Sequence, residues 1–131
     1  MNKYSFSGIF MALVVSATIG LLLLTQTATM AEQLPQVPMP GMVTMVDLGA
    51  KKCIPCKMMA PLIEELTKEY QGRAAILFID VWENPDAGPK FNLRAIPTQI
   101  FYDAQGKEIS RHEGYMDKKS IVTMFTKLGV K

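Results

Sequence analysis

The sequence predicts an α/β fold built on a mixed four-stranded sheet, with elements in the order βαβ and then ββα. Two apolar runs of strand length, 42–48 and 74–81, enclose a segment with helical spacing, which implies parallel strands joined by a crossover helix. Further along, the turn residues 103–106 separate two strand-like runs, 99–102 and 107–113. That arrangement predicts a hairpin and therefore antiparallel strands in the same sheet.

Three helices are predicted between and after these strands. Apolar residues recur at helical intervals over 58–70, with Pro61 inside the helix as a source of a kink and Gly72 just past its end. A short helical segment follows over 84–92. The last helix starts at the N-cap residue Asp117 and presents one apolar stripe to the core.

The N-terminus carries the features of a targeting segment. After Lys3 no charged residue appears until Glu32, and the stretch 9–24 is almost entirely apolar. Small and polar residues follow it, which favours a signal peptide cleaved after Ala31 over an uncleaved membrane tether formed by 9–24. A buried helix of a soluble protein fits these flanks less well. Export and anchoring both place the domain outside the cytoplasm, in the periplasm or on the outer side of the inner membrane.

The predicted organisation is therefore a signal peptide or membrane anchor over 1–31, a Pro-rich linker over 32–41, and one domain over 42–131. Without Lys3, 13 of the 14 Lys and Arg residues remain, against 12 Asp and Glu. This balance argues against a nucleic-acid partner. A single small domain of this kind is expected to be a monomer.

Cys53 and Cys56 are the only two cysteines of the chain, and their spacing allows three kinds of site. A zinc site needs two more ligands, whereas His112 is the only histidine. Covalent haem needs histidine directly after the second cysteine, where Lys57 stands. We therefore expect no metal and no cofactor other than the cysteine pair itself, cycling between dithiol and disulfide.

The position of the pair at the start of a helix suits redox chemistry. Free N–H groups and the positive end of the helix dipole stabilise a thiolate, and Lys51, Lys52 and Lys57 add positive charge nearby. We expect Cys53 to be the exposed nucleophile and Cys56, one turn further in, to resolve the mixed disulfide. The alternative for each lysine is an ordinary solvated charge.

Several motifs together make the chain from Met42 to about Leu128 resemble the thioredoxin family. These motifs are Asp47, Cys53-Ile54-Pro55-Cys56-Lys57, Pro61, Asn84-Pro85 and Ile96-Pro97-Thr98. The resemblance implies a thioredoxin-like fold with helices on both faces of the sheet. It also implies protein clients that contain disulfides.

The resemblance assigns roles to individual residues. Pro97 should be a cis proline beside the disulfide. The implied substrate-binding residues are Ile54, Pro55, Ile96, Pro97 and Gly114. Asp47 should be a buried acid behind the cysteines that exchanges a proton with Cys56, which a raised pKa would suit. From the residues alone, Asp47 could instead be a strand-end carboxylate facing water.

The chain also departs from the family pattern. Where relatives carry Trp before the first cysteine and an aromatic residue three positions earlier, this chain has Lys52 and Gly49. Phe78 replaces the lysine that often accompanies the buried acid. The family's first strand and helix have no counterpart, which predicts an N-terminally trimmed domain. The missing aromatics predict a partner surface that is less apolar and more acidic than is usual.

We therefore expect an exported thiol–disulfide oxidoreductase. Pro55 stands where oxidants and isomerases of this fold carry histidine, which favours a reductant supplied with electrons by a membrane or exported donor. Two alternatives stay open: a disulfide oxidase or isomerase, and a membrane-tethered binding or adaptor module whose cysteines are structural.

Overall fold

The computed structural model describes residues 34–131, which form one compact unit. Four strands and three helices alternate in the order that the sequence predicts. They are β1 (Thr44–Gly49), α1 (Ile54–Glu69), β2 (Ala75–Asp80), α2 (Ala87–Lys90), β3 (Thr98–Tyr102), β4 (Glu108–Glu113) and α3 (Lys118–Lys127). The predicted signal or anchor lies outside the described residues. Within 34–131, no helix is both long enough and apolar enough to span a membrane.

The four strands form one mixed sheet in the order β2-β1-β3-β4. β1 pairs in parallel with β2, while β3 runs antiparallel to both β1 and β4. All six residues of β1 are buried. The prediction of a βαβ unit followed by a ββα unit is confirmed, and β1 lies inside the sheet with a neighbour on each side.

Because side chains alternate across a strand, the sheet divides the apolar core into two clusters. One cluster contains Met45 and Phe101 from the sheet and is covered by α1 and α3. The other contains Val46 and Ile100 and is covered by α2 and the residues around it. Helices on both faces of the sheet are therefore confirmed.

Helix α1 begins earlier than its apolar spacing indicates. The periodic residues start at Met58, but the first helical residue is Ile54, and Pro55 occupies the first turn. Proline is tolerated there because the first N–H groups of a helix have no partner within it. The cysteine pair is therefore part of the first turn itself.

The segment before β1, which the sequence predicts as a linker, contacts the domain along its length. Leu34 and Val37 pack against the cluster on the α2 side of the sheet. The N–H of Met39 donates to Thr44 Oγ1 at 3.0 Å. Residues 34–39 thus cover part of the sheet.

Phe125 of α3 is the aromatic centre of the larger cluster. Its ring lies 4.7 Å from the ring of Tyr70 and 5.9 Å from that of Phe101. We predict that Phe125→Ala lowers the free energy of unfolding by about 3–5 kcal/mol, because it leaves a cavity where three elements meet. Urea denaturation measures this loss.

The control is Ile109→Ala, which truncates a side chain that is 46% exposed and should change stability by less than about 0.5 kcal/mol. A loss below about 1 kcal/mol for Phe125→Ala would show that β3, the end of α1 and α3 do not share this core.

Candidate active site

The two cysteines lie where β1 passes into α1. Cys53 and Cys56 form a disulfide, with their Cα atoms 5.2 Å apart. Cys53 is the N-cap of α1, and its Sγ accepts a hydrogen bond from the N–H of Cys56 at 3.4 Å. Cys56 is 3% exposed, whereas Cys53 is half-buried. Cys53 therefore presents the more accessible sulfur, although it is less exposed than the sequence suggested.

An acid that sequence reasoning missed holds the loop before Cys53. Asp80, at the end of β2, accepts a hydrogen bond from the N–H of Lys51 at 2.8 Å. Its other oxygen accepts from the N–H groups of Trp82 and Glu83 at 2.9 and 3.2 Å. Burial opposes ionisation, but these donors and the charge of Lys51 bring the pKa of Asp80 below its ordinary value. The sequence contained a signal for this role, because Asp80 is a charged residue at the end of an otherwise apolar strand.

The three lysines around the cysteines have different surroundings. The ammonium of Lys51 forms an ion pair with Glu83 at 2.8 Å, so much of its charge is balanced locally. Lys52 and Lys57 are exposed, and water screens their effect on the sulfurs. Tuning of the thiol by Lys52 and Lys57 stays a prediction.

Asp47 is 1% exposed, which removes the alternative of a strand-end carboxylate facing water. It stands opposite Phe78 on β2 and opposite Gln99 on β3. Gln99 Nε2 donates to Asp47 Oδ1 at 2.8 Å. Burial raises the pKa of Asp47 to about 6, and the hydrogen bond from Gln99 limits that rise. This value suits an acid that exchanges protons near neutral pH.

Gly49 brings the backbone of β1 close to the buried cysteine. A Cβ atom placed on Gly49 would lie 3.3 Å from Cys56 Sγ and 3.1 Å from Phe78 Cε2. Phe78 therefore packs beside the position where relatives carry an aromatic side chain. Next to it, a mainly apolar cavity of about 380 Å³ is lined by Cys56, Ala60, Ile63 and other residues.

Exposed apolar side chains occur in this part of the chain at positions other than 49 and 52, where the family pattern has aromatic residues. Ile54, Met58 and Trp82 are each more than half exposed, and Phe78 is 39% exposed. Of these residues, Ile54 adjoins Cys53 in the chain and Phe78 lines the same cavity as Cys56, so exposed apolar side chains occur beside the cysteines even without aromatics at positions 49 and 52.

The predicted substrate-binding residues fall into two groups. The Ile96–Pro97 peptide bond is cis, as the resemblance implies. The N–H of Gly114 donates to Pro97 O at 2.7 Å, so Pro97 and Gly114 lie side by side. The next residue, Thr98, pairs with Leu48 of β1, which places this group beside the strand that leads to the cysteines. The second group, Ile54 and Pro55, is exposed on the first turn of α1.

No group of three His, Cys, Asp or Glu side chains able to hold a metal occurs among residues 34–131. His112 is exposed on β4, and its Nε2 lies 3.1 Å from Tyr115 O.

Comparison with known proteins places this geometry in a family. The thioredoxin family model matches residues 25–127. Thioredoxin from Staphylococcus saprophyticus is 40% identical over 85 residues, covering 65% of this chain and 81% of the relative. Thioredoxin from Staphylococcus aureus is 39% identical over the same shares of the two chains.

A solved structure gives the same result. The X-ray structure of Fasciola hepatica thioredoxin superposes with a TM-score of 0.60 at 32% sequence identity, covering 67% of this chain and 82% of that one. Since the family model spans most of the chain and its two cysteines form a disulfide at the start of α1, the chain belongs to the thioredoxin family and is a protein thiol–disulfide oxidoreductase.

Proposed function

We propose that this chain is an exported member of the family that reduces disulfides in partner proteins. The observation that carries the proposal is the asymmetry of the cysteine pair: Cys53 caps the helix with its sulfur accessible, and Cys56 lies buried behind it. Pro55 between them, where the oxidising members carry histidine, supports the direction of electron flow. Export rests on the order of features in residues 1–31, with 9–24 either removed with the signal or kept as a tether.

The first step is attack by the Cys53 thiolate on one sulfur of the client disulfide. A mixed disulfide forms between Cys53 and the client, the client S–S bond breaks, and the other client sulfur leaves as a thiolate. The N–H of Cys56 donates to Cys53 Sγ in the disulfide, and the same donor is placed to stabilise the negative charge of the Cys53 thiolate. The client segment would lie against Pro97 and Gly114 on one side and the exposed Ile54 on the other.

In the second step Cys56 attacks Cys53 Sγ and releases the second client sulfur. The Cys56 thiol must lose its proton to do so, and the Asp47 carboxylate is the base that we assign. Asp47 and Gly49 share one face of β1, about 7 Å apart along the strand. Because Gly49 is packed against Cys56, Asp47 lies on the side of the sheet that faces the cysteine, and we propose that the proton passes between them directly or through one water molecule.

The cycle moves two electrons from the Cys53/Cys56 dithiol to the client disulfide. The client leaves as a dithiol, and the enzyme is left with the disulfide that the structure contains. Turnover therefore needs a dithiol donor. For an exported protein we propose a donor in the membrane or in the same compartment, acting on a monomeric enzyme.

The buried attacking sulfur predicts the outcome of a trapping experiment. Cys56→Ser removes the resolving thiol, so clients should accumulate as mixed disulfides on Cys53. A small-molecule thiol should cleave these mixed disulfides and release the clients. Non-reducing electrophoresis of the tagged variant, expressed with its own N-terminus, measures the adducts.

The matched control is Cys53→Ser, which leaves only the sulfur of the 3% exposed Cys56 and should trap far fewer clients. If Cys56→Ser carries no adduct while its Cys53 alkylates readily, protein clients are not the substrates.

The direction of electron flow predicts the reduction potential. Equilibration of the purified protein with glutathione buffers should give a reduction potential of about −270 mV, as in thioredoxins. No residue between the cysteines stabilises the thiolate as histidine does. Pro55→His should make the disulfide measurably more oxidising. A wild-type value near the about −120 mV of the strongest exported oxidants would instead establish a disulfide oxidase.

The raised pKa of Asp47 predicts how stability depends on pH. Between about pH 4 and 6 the folded protein keeps a proton that the unfolded chain has released, so stability falls as pH rises through this window. Above about pH 6 the ionised, buried carboxylate destabilises the fold by about 3 kcal/mol. Asp47→Asn should therefore match the wild type below pH 4 and exceed it by about that amount at pH 8.

Urea denaturation of the oxidised proteins at several pH values measures the difference between wild type and variant. Asp86→Asn, an exposed acid with no side-chain cap bond, should show no such difference. A constant difference for Asp47→Asn across pH 4 to 8 would mean that the Asp47 pKa is not raised.

A further inference from the structure

Gln99 is a polar side chain at a fully buried position, where an apolar side chain is expected. It lies in β3, all five residues of which are buried, and it is 0% exposed itself. Burying an amide in a sheet is unfavourable unless its polar atoms are paired, and an apolar residue of similar size would fill the same space. Its partner on the adjacent strand β1 is Asp47, the acid to which the proposed mechanism assigns proton transfer.

The contact between the two side chains uses only half of their polar atoms. Gln99 Nε2 donates to Asp47 Oδ1 at 2.8 Å. Within residues 34–131, the other two buried oxygens, Asp47 Oδ2 and Gln99 Oε1, have no hydrogen-bond partner. If this amide–carboxyl pair had only a structural role, leaving these two oxygens without partners would cost considerable free energy with no compensating benefit.

This pattern favours one oxygen of the acid as the one that carries the proton. Oδ1 accepts from the amide N–H, and a carbonyl oxygen is a better acceptor than a hydroxyl oxygen, so we place the proton of the carboxyl on Oδ2. When Oδ2 loses that proton, the same hydrogen bond still holds Oδ1. The carboxyl thus keeps one orientation in both protonation states, and the unpaired oxygen is the one that exchanges.

We propose that Gln99 is a positioning residue for thiol–disulfide exchange: it holds Asp47 through Oδ1 and so directs Oδ2 to exchange the proton of Cys56. The proposal rests on the proton-transfer role given to Asp47 under the proposed function. Gln99 acts through Asp47 and contacts neither sulfur nor client in this mechanism.

Other titratable groups on the elements around Asp47 do not take this part. On α1, Cys56 and the exposed Lys57 lie in the first turn, and the other titratable residues of the helix, Glu64, Glu65, Lys68 and Glu69, are exposed. Lys118 of α3 is paired with Glu65 and Glu69, while the apolar residues of α3 pack against this face. Asp80 on β2 is occupied by three backbone N–H groups, and His112 on β4 is directed to Tyr115 O. The side-chain hydrogen bond that Asp47 receives comes from Gln99.

The test is Gln99→Met in the full-length chain, with Gln99→Leu as a second variant. Loss of the donor to Oδ1 disfavours the carboxylate, so the Asp47 pKa, followed by carboxyl carbon NMR, should rise by about one unit. Neither variant should be less stable than the wild type at pH 4, since each also removes an unpaired amide oxygen. The control is Thr44→Val, which removes a buried hydroxyl at the opposite end of β1 and should leave the Asp47 pKa unchanged.

The rate of client reduction against pH separates a positioning role from a structural one. In Gln99→Met the acidic inflection should move up with the Asp47 pKa. The rate at pH 7 should fall about twofold, because the ionised fraction of Asp47 drops from about 0.9 to about 0.5. In an Asp47→Asn background, Gln99→Met should change neither the rate nor the profile. An unchanged Asp47 pKa in both Gln99 variants, or an equal rate loss in the Asp47→Asn background, would overturn the proposal.

The two proposals fail separately. If Asp47→Asn alone keeps the wild-type pH–rate profile, Asp47 is not the base of the second step, and the role of Gln99 in exchange falls with it. If Asp47→Asn abolishes the inflection while the Gln99 variants leave it at the wild-type pH, Asp47 is the base of the second step, but Gln99 does not position it.

Discussion

The site depends on the complete burial of β1. With strands on both sides and helices over both faces, all six residues of this strand are buried. Its last positions carry the groups that matter: Asp47 faces the cluster under α1, and Gly49 lets the backbone approach Cys56. A carboxyl placed there is desolvated by the fold itself, and its raised pKa follows from the position of the strand. The same strand leads directly into the loop that ends at Cys53.

Two acids, one near the end of β1 and one at the end of β2, behave in opposite ways for a clear physical reason. Asp80 receives three backbone N–H groups, so it stays ionised and holds the loop before Cys53 in place. Asp47 receives one donor from a neutral amide, so burial dominates and the proton is retained to a much higher pH. One carboxylate thus shapes the loop, and the other is free to take and give a proton. The depth of burial, the number of donors and the charge of Lys51 together set the two pKa values in opposite directions.

The sequence predicted the framework of this structure well. Apolar runs and the hairpin signal indicated all four strands, and the motif around Pro97 indicated the cis peptide. Hydrophobic periodicity places a residue on a face but does not say what lies opposite on the next strand. Gln99 therefore read as an ordinary strand residue, although the register sets it against Asp47. The ion pair of Lys51 with Glu83 was missed for the same reason, because its partners are distant in the chain.

The start of α1 shows a second limit of periodicity. The apolar spacing begins at Met58, because that is where the helix starts to cover the core, whereas the chain turns helical at Ile54. The intervening turn is stabilised by the Cys53 cap and a tolerated proline instead of by burial. Its outward side chains, Ile54 above all, are exposed, while Cys56 is held inside. Exposure and packing are thus separated within four residues: the start of the helix carries Cys53, the nucleophile that we propose, and the turns that follow anchor it to the core.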